Sequence, residues 1–310
     1  MKTKILFIRK FKKPSGGQFK VRDYFRHCLA HPQLEPHLYL MPDSDESEAR
    51  AFWDFVPHEN FAEILALEHY DLLFLAGRDW EYVPTMPRRM RVINYIQHVK
   101  HAERGDKRFQ YLSRPAWRVC VSEEVAAAIA PHAAGEIHVI KNGIPLEMFS
   151  TAGAKHENSI FIWARKNPAL GQRLFETLQA RGLRVELLID LIPREEFAGR
   201  LQRSEVFVAL PHETEGFYLP ALEAMAAGCA VICSDAVGNR GFCKHEDTCL
   251  MPAYNDEAAH LRMIEHLLID SALRTALRRN GKNMAQEYSL AREREAFYGL
   301  VDSLLSSQAR

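Results

Sequence analysis

Two glutamates, Glu215 and Glu223, stand eight residues apart in the segment 211–235, PHETEGFYLPALEAMAAGCAVICSD. A carboxylate accepts two hydroxyl hydrogen bonds, which is what a sugar or ribose diol offers. Between them lie Gly216, Phe217, Tyr218 and Leu219, then Pro220. Proline suits a first helical position, where its missing N–H matters least, and Gly228 suits the left-handed residue past a helix end. The spacing predicts a helix over 220–227, roughly two turns long. Ala224, Ala226 and Ala227 leave it a thin surface, able to lie close against a sheet. The N–H groups around 217–221 then point out of the helix start and form an anion site suited to a diphosphate. Glu215 lies before the helix and Glu223 within its first turn, so both carboxylates border one pocket on either side of that site. The predicted chemistry is recognition of a sugar at one end, a ribose at the other and phosphates between.

Such residues need a scaffold that gathers loops, and the rest of the chain has the pattern of one. Residues 4–9 (KILFIR) read as a strand, followed by a glycine-bearing loop, 10–18, and a helix, 19–30. Further strands are expected at 36–41, 71–76, 92–97, 117–122 and 137–141. Ser122-Glu123-Glu124 opens a helix, since serine caps well and acidic residues suit the positive end of the helix dipole. Asn142-Gly143 reads as a turn that sets a domain hinge. The small, polar stretch 150–157 (STAGAKHE) fits a linker. A second series follows, with strands at 159–164, 185–190, 205–210 and 230–234. Helices are expected at 168–181, ended by Gly182, and at 194–203, and the chain is almost wholly helical from Asp256. Continuous Val, Ile, Leu and Phe runs mean strands buried on both faces, and strands alternating with helices mean parallel sheets. The expected fold is therefore α/β, with two doubly wound domains whose ligands sit outside the carboxyl ends of the strands. The divisions expected are 1–148, 149–289 and a terminal helix, 290–310, crossing back to brace the first domain.

At 310 residues the chain is longer than one core usually grows, which agrees with two domains. A composition of 47% hydrophobic and 26% charged residues excludes a disordered tail, a collagen-like repeat and a coiled coil. No run of apolar residues is long enough for a membrane-spanning helix, and the apolar run after Met1 is too short for a signal peptide. Lys plus Arg (40) equals Asp plus Glu (40), so a nucleic-acid partner is not expected. None of the six cysteines, Cys28, Cys120, Cys229, Cys233, Cys243 and Cys249, forms a C-x2-C pair, and they read as reduced structural thiols.

The string EGFYLPALEAMAAG resembles the E-x7-E signature of retaining GT-B glycosyltransferases, in particular the family-4 group that uses nucleotide sugars. Gly16-Gly17 is similar to that group's glycine-rich loop, VIKNGI (139–144) to its inter-domain IPNGID segment, and WARK (163–166) to the GRL turn that opens its donor domain. The resemblance implies a GT-B fold of two Rossmann-like domains facing a cleft, the first binding the acceptor and the second the nucleotide sugar. It implies no catalytic metal and no cofactor beyond the donor. On it, Glu215 matches the glutamate near the donor sugar's hydroxyls and Glu223 the one that binds the ribose. Gly216, Phe217, Tyr218 and Leu219 match the loop whose amides meet the phosphates, and Arg165 the arginine that neutralises the leaving diphosphate. Arginine suits that task because its fork binds phosphate oxygens bidentately and keeps its charge. The family's lysine five residues after that arginine is Leu170 here, followed by Gly171, and Lys166 is the near substitute. The aspartate of its NGID segment is Pro145.

His98, at a strand's carboxyl end, matches a histidine near the donor sugar. His101 reads as a surface residue, and His212 and Glu213 as pocket-lining or plain loop polarity. Asn239, in the loop with Arg240 after Ser234, is expected to contact the base or phosphates. The basic clusters 9–13, 88–91 and 100–108 are solvated faces or contacts to an anionic lipid-linked acceptor at a membrane surface. The function expected is retaining transfer of a sugar from a nucleotide diphosphate to a glycan or lipid-linked acceptor hydroxyl. The setting is cell-surface polysaccharide or glycolipid assembly, in the cytoplasm or at the inner membrane face. The alternatives are a non-catalytic module that binds a nucleotide sugar or a partner enzyme, and a nucleotide-sugar epimerase.

Overall fold

The computed structural model describes residues 2–87, 89–150 and 154–306. Arg88 of the basic run 88–91, residues 151–153 of the expected linker and the last four of the segment 290–310 lie outside the described residues. The chain forms two compact units. One runs to Lys141 and resumes at Glu293, and the other is Asn142–Arg292.

The first unit contains β1 (Thr3–Arg9), α1 (Gly16–Ala30), β2 (Leu34–Leu40), α2 (Glu46–Phe52), β3 (Leu72–Ala76), β4 (Arg91–Ile96), β5 (Trp117–Cys120), α3 (Glu123–Ile129) and β6 (Ile137–Val139). All six strands are parallel, in the order β2-β1-β3-β4-β5-β6. Ile5 to Ile8 and Leu72 to Leu75 are fully buried, as central strands covered on both faces must be. Each such side chain stabilises by about 1.5–3 kcal/mol, and Phe7 stacks on Phe74 with ring centroids 4.5 Å apart. One expectation is corrected here. Ser15 Oγ accepts from Gln18 N at 3.3 Å, so α1 starts at Gly16 and the two glycines form its first turn rather than the loop before it.

The second unit contains α4 (Leu146–Phe149), β7 (Ile160–Trp163), α5 (Pro168–Ala180), β8 (Val185–Leu188), α6 (Arg194–Arg203), β9 (Val206–Ala209), α7 (Leu219–Ala226), β10 (Ala230–Cys233), α8 (Glu257–Ile269) and α9 (Ser271–Gln286), after which α10 (Leu290–Ser306) begins. Its four strands are parallel in the order β10-β9-β7-β8. Side chains alternate between two cores, as the strand period of two requires. Phe161, Trp163, Phe207 and Val231 pack with Phe149, Phe197, Leu201 and Leu222. Ile160, Ile162, Val208 and Ile232 pack with Leu174, Leu178 and Ile264 on the opposite face.

The boundaries fall at Lys141/Asn142 and Arg292/Glu293 rather than after 148 and 289. Ile144 N donates to Tyr288 O at 2.8 Å, and Phe149 is buried among the second unit's residues, so the segment from Asn142 is tied there. From Glu293 onward α10 belongs to the first unit. Lys20 Nζ, 1% exposed, donates to Asp23 Oδ2 at 2.9 Å and to Glu293 Oε2 at 2.6 Å. Tyr298 OH donates to His27 O at 3.0 Å, and Arg91 Nη1 to Leu304 O at 2.7 Å. No described helix is long and apolar enough to cross a membrane.

Candidate functional site

In the second sheet β7 lies between β8 and β9, so the chain leaves it first to one side and then to the other. Ligand crevices of open parallel sheets form outside the carboxyl ends of strands at such a reversal. The two strands that meet there are in register, Trp163 opposite Ala209, and Leu210 N donates to Trp163 O at 3.1 Å. The residues following them, Ala164 to Asn167 and Leu210 to Tyr218, hold most of the expected donor-binding groups.

After β7 a tight turn closes with Asn167 N donating to Ala164 O, while Asn167 Oδ1 caps α5 by accepting from Leu170 N at 3.3 Å. This turn presents Arg165 and Lys166. Lys166 Nζ lies 3.1 Å from Glu215 Oε1 across the neighbouring loop, the lysine side chain 43% exposed and the glutamate 14%. Lys166 is thus paired rather than a plain solvated residue. Leu170, where the resemblance leads one to look for a lysine, is buried in the core beneath the turn. A Cβ on Gly171 would sit 2.1 Å from Ala164 Cβ, so α5 is pressed against the end of β7 there.

The expected short helix is α7, begun by Leu219 one residue early, with Pro220 at the second position and Gly228 at φ +69° past its end. Tyr218 is its N-cap and no side chain caps it, which leaves first-turn amides without side-chain acceptors. Glu223 falls in the second turn, not the first. It is 5% exposed, and Arg194 Nη2 donates to its Oε1 at 2.5 Å. Arg194 opens α6 beyond the carboxyl end of β8. Sequence reasoning missed it, although its position after a strand end was visible.

Tyr218 lies within electrostatic range of both carboxylates. Its side chain is buried, its hydroxyl has no hydrogen-bond partner among the described residues, and Arg165 and Cys233 also lie within electrostatic range of it. Burial, reinforced by Cys233 and Glu215, raises the phenol well above its ordinary range, so it is a donor at neutral pH. Phe217 is half-buried and packs its ring 5.1 Å from Phe242 and 5.8 Å from Tyr288.

The Glu215 loop is held from outside by the turn after β10. Gly238 N donates to Glu215 O at 2.8 Å and Val237 N to Glu213 O at 3.0 Å. A Cβ on Gly238 would lie 2.0 Å from Gly216 O, so only glycine allows this approach. Asn239 is the residue expected to contact the base or phosphates. Asn239 is fully buried, with Nδ2 donating to Cys233 Sγ at 3.1 Å, and it supports the loop from within. His212 Nδ1 lies 3.0 Å from Thr214 Oγ1, and Glu213 is exposed. All six cysteines are free and buried.

In the first unit, His98 follows β4, and its Nδ1 accepts from Lys100 N at 3.1 Å. Gln97 Nε2 is 3.5 Å from Gly17 O, so the end of β4 and the start of α1 adjoin. His101 is not a surface residue. It is 4% exposed, and burial, reinforced by Arg108, lowers its pKa to about 3. Arg9 of the basic cluster is buried and paired with Asp79, and its Nη2 donates to Gln18 Oε1 at 2.9 Å. Desolvation pushes Asp79 up to about 6 despite that arginine. Among the described residues no cluster of three or more His, Cys, Asp or Glu is arranged to hold a metal.

Residues 172–284 match the family model for glycosyl transferases group 1. That span holds Glu215, Glu223 and α7 and lies within the second unit. No curated protein matches the chain in sequence. Solved structures resemble it over nearly its whole length. HepE from Anabaena in complex with UDP is 14% identical with a TM-score of 0.77, covering 97% of this chain and 100% of that one. A sucrose-phosphate synthase from Thermosynechococcus elongatus is 16% identical with a TM-score of 0.74, covering 99% and 100%. A glycosyltransferase from Rickettsia africae is 13% identical with a TM-score of 0.72, covering 98% and 99%. The fold is therefore of the GT-B class, with two Rossmann-like units built on parallel sheets.

Proposed function

We propose that the protein is a glycosyltransferase that moves a sugar from a nucleotide-diphosphate sugar to an acceptor hydroxyl with retention at the anomeric carbon. The observation that carries the reading is the meeting of Lys166 and Glu215 at the carboxyl ends of β7 and β9, beside the uncapped start of α7. Arg165, Lys166 and the amides of 216–219 bind the diphosphate and stabilise the charge that develops as it leaves, which is commonly the largest catalytic term. Glu215 binds hydroxyls of the transferred sugar and Glu223 those of the ribose. This assignment takes no metal ion. As C1–O breaks toward the diphosphate, the acceptor oxygen bonds C1 on the same face and its proton passes to a leaving phosphate oxygen. His98 and the Gly16-Gly17 turn serve the acceptor side and the donor sugar. HepE, similar in fold, has also been solved in complex with UDP-glucose, which supports a nucleotide-sugar donor. Membership of the family-4 group and a cytoplasmic role in surface polysaccharide or glycolipid assembly, on a glycan or lipid-linked acceptor, belong to the same proposal.

One observation favours a second reading, a non-catalytic nucleotide-sugar-binding module: Leu170 fills with core packing the place where the resemblance looks for a phosphate-binding lysine. Thermal-shift titration with UDP-, GDP-, ADP- and dTDP-sugars, followed by assay of hydrolysis and transfer, separates the two. The enzyme reading expects a donor that raises the melting temperature, loss of transfer in Glu215→Ala, and mainly weakened nucleotide binding in Glu223→Ala. Full activity in both variants would refute it.

A further inference from the structure

The ribose end of this site has a built support. Arg194 and Glu223 come from different helices, α6 and α7, and their paired side chains are only 10% and 7% exposed. The guanidinium also lies 5.5 Å from the ring centroid of Phe149, a fully buried residue of α4, so three elements fix its plane. A cation in a helix's first turn is disfavoured by the helix dipole, and Arg194 occupies the first position of α6. The contact with Glu223 is what that position gains. Arg194 Nη2 engages Oε1 at 2.5 Å.

We infer that Arg194 is a positioning residue that orients Glu223 and thereby sets a preference for ribonucleotides over 2′-deoxyribonucleotides. This inference rests on the donor-binding reading of Glu223. A carboxylate locked through one oxygen presents the other in a fixed direction, where it accepts from a ribose diol. Without the lock the carboxylate turns among rotamers, and the advantage of the 2′-hydroxyl falls away. Lysine has one compact charge where arginine has a planar fork, so it supports the orientation only in part.

The test is calorimetric titration of the intact chain with UDP, GDP and ADP, each beside its 2′-deoxy counterpart. The wild type should bind the preferred ribonucleotide about tenfold or more tightly than the deoxy form, the size of a hydrogen bond to a charged group. Glu223→Gln and Arg194→Met should both bring the ratio to within about twofold of unity, and Arg194→Lys should fall between. A purely structural arginine would weaken both nucleotides alike and leave the ratio unchanged. If Arg194→Met does not fold, Arg194→Lys decides alone. A wild-type ratio near unity, or either arginine variant keeping the wild-type ratio, overturns the inference and leaves the donor-binding proposal standing. Failure of every nucleotide to bind the wild type overturns that proposal itself.

Discussion

Replacing Lys20 by methionine should destabilise the first unit by about 3–5 kcal/mol, because it strands buried carboxylates. Lys20, 1% exposed, is held between Asp23 at 2.9 Å and Glu293 at 2.6 Å, which are 6% and 0% exposed. Two carboxylates flank one ammonium, whose pKa is raised because those carboxylates outweigh its desolvation. Methionine matches the lysine stem in volume, so packing is largely kept and the loss is electrostatic. Among the described residues Glu293 then keeps His27 Nε2, 3.4 Å away, and its Oε1 already lacks a partner there. The predicted loss is a large share of the ~5–15 kcal/mol by which a domain is normally stable. Urea unfolding followed by circular dichroism measures it, and hydrogen exchange should show α10 opening first, since Glu293 is its deepest charged anchor. The double variant Lys20→Met, Glu293→Met should recover part of the loss, since it removes a stranded charge as well. A single variant within about 1 kcal/mol of wild type, or a double variant worse than the single, would show that the cluster does not hold α10 as described.

His101 supplies a pH dependence. Its pKa is about 3 in the folded chain against ~6.5 unfolded, so between these values the unfolded state binds the extra proton and stability falls as the solution is acidified. The loss is about 2 kcal/mol at pH 5 and is absent above pH 7; His101→Phe should flatten this part of a stability–pH curve measured by chemical unfolding. Gly238→Ala should force the turn after β10 off Gly216 and Glu215 and cost about 1–3 kcal/mol, with weakened nucleotide binding in the same preparation. Tyr218→Phe removes a buried hydroxyl that has no partner among the described residues. It should leave the melting temperature unchanged or raise it, by up to about 1 kcal/mol in stability, and a marked loss would mean that the hydroxyl is bonded in solution.

The sequence determined much by itself. Apolar runs fixed the strands, because a strand covered on both faces leaves no place for polar residues. Pro220 and Gly228 bounded α7, and Ser122 capped α3, because these residues act within one turn of the chain. The site loops were legible for the same reason, since Arg165, Lys166 and Glu215 each follow a readable strand end. Partners distant in sequence were decided only by packing. Arg194 is 29 residues from Glu223, and no local pattern joins them. His101 looked polar enough for solvent, yet it is buried neutral, and Asn239, placed by its loop beside the expected ligand, is fully buried against Cys233. Lys20 and Glu293 lie 273 residues apart. Spacing along a chain reports which face of its own helix or strand a residue takes, and only the folded arrangement of elements reports what that face meets.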